Sequence, residues 1–211
     1  MALTEGTNCG FVTSAPSADP VESNAIVDGT SVSGKFTAPA DGTITEIGWW
    51  CDTASEECNF EVGLYSHDSG DDSPDARLQV DATNAKGTGA GWKVCSGLSW
   101  AITNATIYWL AVQVDAVATA TNINYAVATG RRANRASQTA LTDPFPADAT
   151  LTDSRLVGIY ALYTTAGGTG MQINIGDAWK TVDAMQINIG DAWKSVDGVQ
   201  INVGDAWKAV F

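Results

Sequence analysis

The sequence predicts an all-β chain: a jelly-roll-like β-sandwich followed by three short β-hairpin repeats. Three observations carry that expectation. Short segments with period-2 alternation recur between clusters of Gly, Asp, Ser and Asn from about residue 11 to residue 163. No stretch sustains a 3.6-residue period. Finally, the last 41 residues, 171–211, are one unit written three times.

The alternating segments come first. In Ser31–Thr37, Val32, Gly34 and Phe36 fall on one face. In Phe60-Glu-Val-Gly-Leu-Tyr65, Phe60, Val62 and Leu64 fall together, while Glu61, Gly63 and Tyr65 face the other way. Ile107–Val114 and Leu156–Tyr163 are apolar on both faces, as central strands covered on both sides are. Gly42–Trp50, Trp92–Leu98 and Ile123–Ala128 are further strand candidates. A long acidic segment, His67-Asp-Ser-Gly-Asp-Asp-Ser-Pro-Asp75, follows the strand that ends near Tyr65.

Residues 164–170, Thr-Thr-Ala-Gly-Gly-Thr-Gly, have the composition of a flexible linker between the sandwich of residues 1–163 and the repeats of 171–211. Met171-Gln-Ile-Asn-Ile-Gly-Asp-Ala-Trp-Lys-Thr-Val-Asp-Ala184 recurs from Met185 and, one residue shorter, from Val199. Each copy has an alternating run, a Gly-Asp turn and a second short run, the pattern of a hairpin whose first loop residue needs positive φ. Two registers are open. A two-residue loop sets Ile175 opposite Ala178 and Trp179 opposite Asn174; a three-residue loop sets Trp179 opposite Ile175. Because one hairpin is marginal in water, Trp179, Trp193 and Trp207, with Ile175, Ile189 and Val203, are the candidate assembly residues. Packing is the stronger role for these indoles than sugar stacking, since so small a unit has little other apolar area.

Charge and composition narrow the function. A net charge of −13 over 211 residues argues against a nucleic-acid partner. The cluster Arg131, Arg132 and Arg135 is read as solvated, or as meeting an acidic neighbour. No apolar stretch approaches the ~20 residues that span a bilayer. The N-terminal Met-Ala-Leu-Thr-Glu-Gly-Thr-Asn shows neither the charged nor the apolar region of a secretory signal. The expectation is a chain made in a cytoplasm, with no membrane partner. Cys9, Cys51, Cys58 and Cys95 form no CxxC pair and His67 is the only histidine, so no zinc site is expected. Cys51 and Cys58 either bridge across an acidic turn or remain buried thiols.

Candidate sites follow from residue type. In the pair Trp49-Trp50, alternation sends one indole inward and the other outward. The outward ring, with Tyr65, is a candidate glycan platform, and an ordinary surface or interface role is the alternative. Asp68, Asp71 and Asp72 offer oxygen ligands to calcium but lack EF-hand spacing, so no cofactor is assigned and a solvated turn is the competing reading. One histidine and no GxSxG, HExxH or phosphate-loop motif leave a thin catalytic inventory, and no enzymatic activity is expected.

Two stretches carry a resemblance. Glu61–Leu78 and Gly97–Val114 have a strand ending in Leu-Tyr-Ser, an acidic turn with Pro, and a later Thr-Ile-Tyr-Trp-Leu-Ala-Val strand. Over roughly residues 31–128 this is similar to jelly-roll modules of phage virion proteins and secreted glycan-associated proteins. The tail unit Ile-Asn-Ile-Gly-Asp-Ala-Trp-Lys resembles the VxVGGxWK repeats near the ends of phage virion proteins, with Asp in place of the second Gly. The resemblance implies a non-enzymatic phage virion structural protein, a capsid decoration or a tail or fibre component, made in the host cytoplasm and carried on the particle. Its repeats would mediate assembly or attachment, with other virion proteins and a homo-oligomer, a trimer by preference, as partners. A carbohydrate-binding module or adhesin that recognises host glycans is the alternative.

Overall fold

The computed structural model describes residues 2–20, 23–53, 55–118, 121–127, 131–146, 150–152 and 154–165, and six short strands beyond them. Side chains are described up to residue 165, apart from those of 23–26, 53 and 150–152 within that range. The chain divides into two compact units, Met1–Thr164 and Thr165–Phe211.

Among the described residues the first unit is all strand and connection, with no helix. In chain order its strands are β1 (Gly10–Val12), β2 (Ser23–Ile26), β3 (Thr30–Thr37), β4 (Gly42–Thr53), β5 (Asn59–Asp68) and β6 (Ser73–Ala85). They continue as β7 (Gly91–Ile102), β8 (Ile107–Val114), β9 (Asn122–Val127), β10 (Arg132–Ala136), β11 (Thr150–Thr152), β12 (Arg155–Val157) and β13 (Ile159–Thr165). One sheet runs β11-β10-β3-β8-β5-β6; the other runs β1-β13-β4-β9-β12, with β2 on β9 and β7 on β4. The antiparallel pairs are nested, β5 with β6, β4 with β7, β3 with β8 and β2 with β9. A long hairpin folded over itself pairs its strands in this way, and its arms divide between two sheets as in a jelly roll.

The main core lies between the sheets. Phe60, Val62 and Leu64 of β5 meet Val32 and Phe36 of β3, Ile47 and Trp49 of β4, and Ile159 and Ala161 of β13, all buried. Strand β8 is buried along nearly its whole length and is central, between β3 and β5. The apolar run 156–163 is broken at Gly158, whose N–H donates to Asn124 O while its carbonyl accepts from Trp50 N. In β7, Gly97 sits at φ +79 where the register with β4 shifts between Ile44 and Glu46. There β7 runs three residues, Gly97 to Ser99, past the single Thr45 of β4, and glycine at positive φ lets the strand take up the excess.

A second, smaller core covers the outer face of β3, β8 and β5. Tyr65, Trp109, Ala111 and Ala133 are buried there beneath Leu141 and Phe145 of a strap formed by residues 137–146. The strap is bonded along its length. Leu141 N–H donates to Glu61 Oε2 at 2.7 Å, Thr142 O accepts from the Tyr65 hydroxyl at 2.7 Å, and Phe145 N–H donates to Asp75 O at 2.9 Å.

Two expectations are corrected. The acidic segment is not a long loop: β5 continues to Asp68, which pairs with Ser73 of β6, leaving a tight turn between them. Strand β6 was not visible in the sequence, because it is an edge strand whose side chains are mostly exposed and show no buried face.

The second unit contains β14 (Gln172–Ile175), β15 (Ala178–Thr181), β16 (Gln186–Ile189), β17 (Ala192–Ser195), β18 (Gln200–Val203) and β19 (Ala206–Ala209). They form three separate two-stranded antiparallel sheets, β14-β15, β16-β17 and β18-β19. The register is the same in each: Ile175 opposite Ala178 and Asn174 opposite Trp179, repeated at Ile189 and Ala192 with Asn188 and Trp193, and at Val203 and Ala206 with Asn202 and Trp207. The linker residues 166–170, the loop pairs 176–177, 190–191 and 204–205, and the side chains of all three Trp residues lie outside the described residues.

Candidate functional site

The alternation expected of Trp49 and Trp50 is present, but neither indole is displayed. Trp49 points into the main core, edge-on to Phe60 with ring centroids 5.9 Å apart. Trp50 lies on the opposite face of β4 and is still only 9% exposed. Its cover comes from distant parts of the chain. Trp92, directly opposite on β7, stands edge-on at 5.5 Å, and Trp92 in turn meets Tyr160 of β13 at 5.1 Å. The third proposed glycan residue, Tyr65, is fully buried beneath Phe145, with centroids 5.3 Å apart. Burial pushes its hydroxyl well above the ordinary tyrosine range. Sequence reasoning therefore chose three aromatic residues that fill interior positions and missed Trp92, the one partly exposed indole among the five whose side chains are described. Its signal was available only in the pairing of β4 with β7.

Around this aromatic ladder the backbone leaves little room. A Cβ on Gly48 would lie 2.4 Å from the Tyr160 ring, so only glycine lets that ring cross β4. The Tyr160 hydroxyl then donates to Glu46 Oε1 at 2.5 Å. Burial, followed by the hydrogen bond to Glu46 and its charge, raises the Tyr160 pKa far beyond its usual range. The Trp92 indole N–H donates to Ala18 O at 3.2 Å.

The calcium candidates do not converge. Asp68 Oδ1 accepts from Gly70 N at 2.7 Å, closing the turn locally. Asp72, at φ 53, turns to Lys35 and Arg131, with 2.8 Å to each. Burial opposes the charge of Asp72, but the Lys35 hydrogen bond and the two cations outweigh it and hold the carboxyl below its ordinary value. Asp71 is exposed. Among the described residues no group of three or more His, Cys, Asp or Glu side chains is placed to hold a metal ion. The acidic neighbour expected for the arginine cluster is Asp72, bound by Arg131, whereas Arg132 is buried and lies over the Tyr125 ring at 5.9 Å.

His67 borders an open groove of about 450 Å³ lined also by Ser66, Leu78, Thr106, Ile107 and Tyr108. Its Nδ1 accepts from the Trp109 indole, and its Nε2 faces Asp72. With both ring nitrogens directed at protein groups, the imidazole works as a connector between β8, β5 and the turn. All four cysteines are free, with Cys9, Cys51 and Cys95 buried. Burial pushes the Cys58 thiol up to about 11 and Cys9 up to about 12, so neither is thiolate near neutral pH.

No protein-family model, curated protein or solved structure matches the chain.

Proposed function

We propose that this chain is a non-enzymatic structural protein of a phage particle, a capsid decoration or a tail or fibre component, whose C-terminal repeats join copies of the chain. The observation that carries the reading is the set of three separate two-stranded sheets in Thr165–Phe211, each built from four-residue strands in one common register. A two-stranded sheet that short is marginal in water and gains stability only by packing on something else. Three units of one register call for three like environments, as three stacked layers about a common threefold axis would give.

The first unit supports the non-enzymatic part. Its most suggestive polar residues are committed to structure: Asp72 to Lys35 and Arg131, His67 to Trp109, and Glu61 to the strap. The placement on a virion rests on the resemblance of the repeat unit and of the Leu-Tyr-Ser and Tyr-Trp-Leu-Ala-Val segments. The glycan-binding alternative loses the residues first assigned to it, since Trp49, Trp50 and Tyr65 are all buried.

Sedimentation of the full chain beside a chain ending at Thr165 tests the assembly role. A trimer for the first and a monomer for the second is the expected result. A full chain that remains monomeric at every concentration overturns it. Mass spectrometry of purified particles, with copy number, tests the virion assignment.

A further inference from the structure

The outer face of β4 and β7 carries a site that the assembly role does not use. Trp92 and Val94 alternate outward along β7, an edge strand that among the described residues pairs only with β4. Val94 is 41% exposed, one of three large apolar side chains so exposed among the described residues. Opposite Val94 stands Gly48, so no side chain of β4 rises beside it, and the buried Tyr160 ring lies over Gly48 on this same face. The strip is bordered by Ser96, exposed, and by Glu46, which stands opposite Ser96 and has given one carboxylate oxygen to Tyr160. Beside Trp92, the Nε1 of Trp50 is shut off from solvent and has no hydrogen-bond partner, an unusual state for a buried N–H.

We propose that the Trp92–Val94 strip, with Glu46 and Ser96 at its rim, binds a neutral sugar. A pyranose has one face of C–H groups and a periphery of hydroxyls. The apolar face fits a platform of indole and isopropyl groups, and the hydroxyls are donors suited to a carboxylate and a serine. The Trp92 indole is held in place at its N–H end by Ala18 O and at its sides by Trp50 and Tyr160, so little side-chain freedom is lost on binding. The net charge of −13 and the carboxylate at the rim select neutral over sialylated or sulfated glycans.

The probe is an array of neutral hexose and N-acetylhexosamine oligosaccharides printed beside sialylated and sulfated counterparts, with the full chain as analyte. Neutral glycans should bind, and binding should fall roughly tenfold or more in Trp92→Ala, about the loss of one stacking contact. Val94→Asp changes an exposed position and leaves the aromatic ladder intact. It should abolish binding with an unchanged melting temperature, which keeps the test valid if Trp92→Ala fails to fold. Trp92→Phe should retain part of the affinity. Binding to no neutral glycan, binding confined to anionic glycans, or binding unchanged in Val94→Asp would each overturn the proposal.

Discussion

The indole N–H of Trp109 donates to Nδ1 of His67 at 3.2 Å, and Nε2 of the same ring lies 3.8 Å from Oδ1 of Asp72. An indole nitrogen only donates, so Nδ1 carries the lone pair and the proton of the neutral ring sits on Nε2, facing the carboxylate. Trp109 itself is fully buried. His67→Ala therefore leaves a buried donor without an acceptor, at a cost of about 1–3 kcal/mol. Urea denaturation should show the midpoint falling with an unchanged slope. An unaltered midpoint would mean that this hydrogen bond does not contribute.

Asp72 gives the chain an acid-sensitive joint. Its carboxyl is held below the ordinary value, so its stabilising contribution is complete above the unfolded-state value and disappears as pH falls through the folded one. Its side chain is 42% exposed, and exposed pairs of this kind are worth roughly 0.2–1 kcal/mol. Asp72→Asn should cost about that much at neutral pH and nothing at strongly acid pH, and the difference should shrink in high salt. Thermal melts at several pH values and two salt concentrations check both dependences.

Period and composition revealed the segments whose two faces differ in residue type. Phe60, Val62 and Leu64, or Val32 and Phe36, are legible because polar or small residues such as Glu61, Gly63, Ser31 and Ser33 alternate with them, although the strap buries that second face as well. Strand β6 was hidden because an exposed edge imposes no alternation. The site residues failed for a different reason. Whether the outward member of Trp49-Trp50 meets solvent depends on Trp92 and Tyr160, which reach it through sheet pairing. Likewise Asp72 looked like a free ligand because its partners Lys35 and Arg131 lie 37 and 59 positions away. Chain-local patterns report which face a residue takes, not what covers that face.

Glu61 titrates in the opposite sense to Asp72. Burial raises its pKa, and the Leu141 N–H it accepts from only partly offsets that. The folded state thus takes up this proton before the unfolded chain does, and the group favours folding below the unfolded-state value but loses that advantage as pH rises through the folded one. In Glu61→Gln the amide oxygen still accepts from Leu141 while the buried charge is gone. The variant should be more stable than the parent at neutral pH, and the gap should close towards acid pH. A variant less stable than the parent at neutral pH would show that the charge itself holds the strap.

Phe145 tests what the strap does for the sheet edge. Its ring stands edge-on to Tyr65, and its N–H caps Asp75 O, while Asp143 Oδ1 accepts from Arg77 N at 3.0 Å. Both capped groups belong to β6, the exposed edge of its sheet. Unpaired edge groups are templates for another chain, and the strap occupies the first half of this one. Phe145→Ala removes a buried aromatic ring and should cost about 3–5 kcal/mol. Hydrogen exchange should quicken first at Leu141, Phe145 and Arg77, with β8 exchanging more slowly than all three. Light scattering should then report association of the variant under conditions where the parent remains dispersed. Quickened exchange without association would mean that the exposed second half of β6, from Gln79 onward, protects itself by its register shift against β5 between Asp81 and Asn84 rather than through the strap.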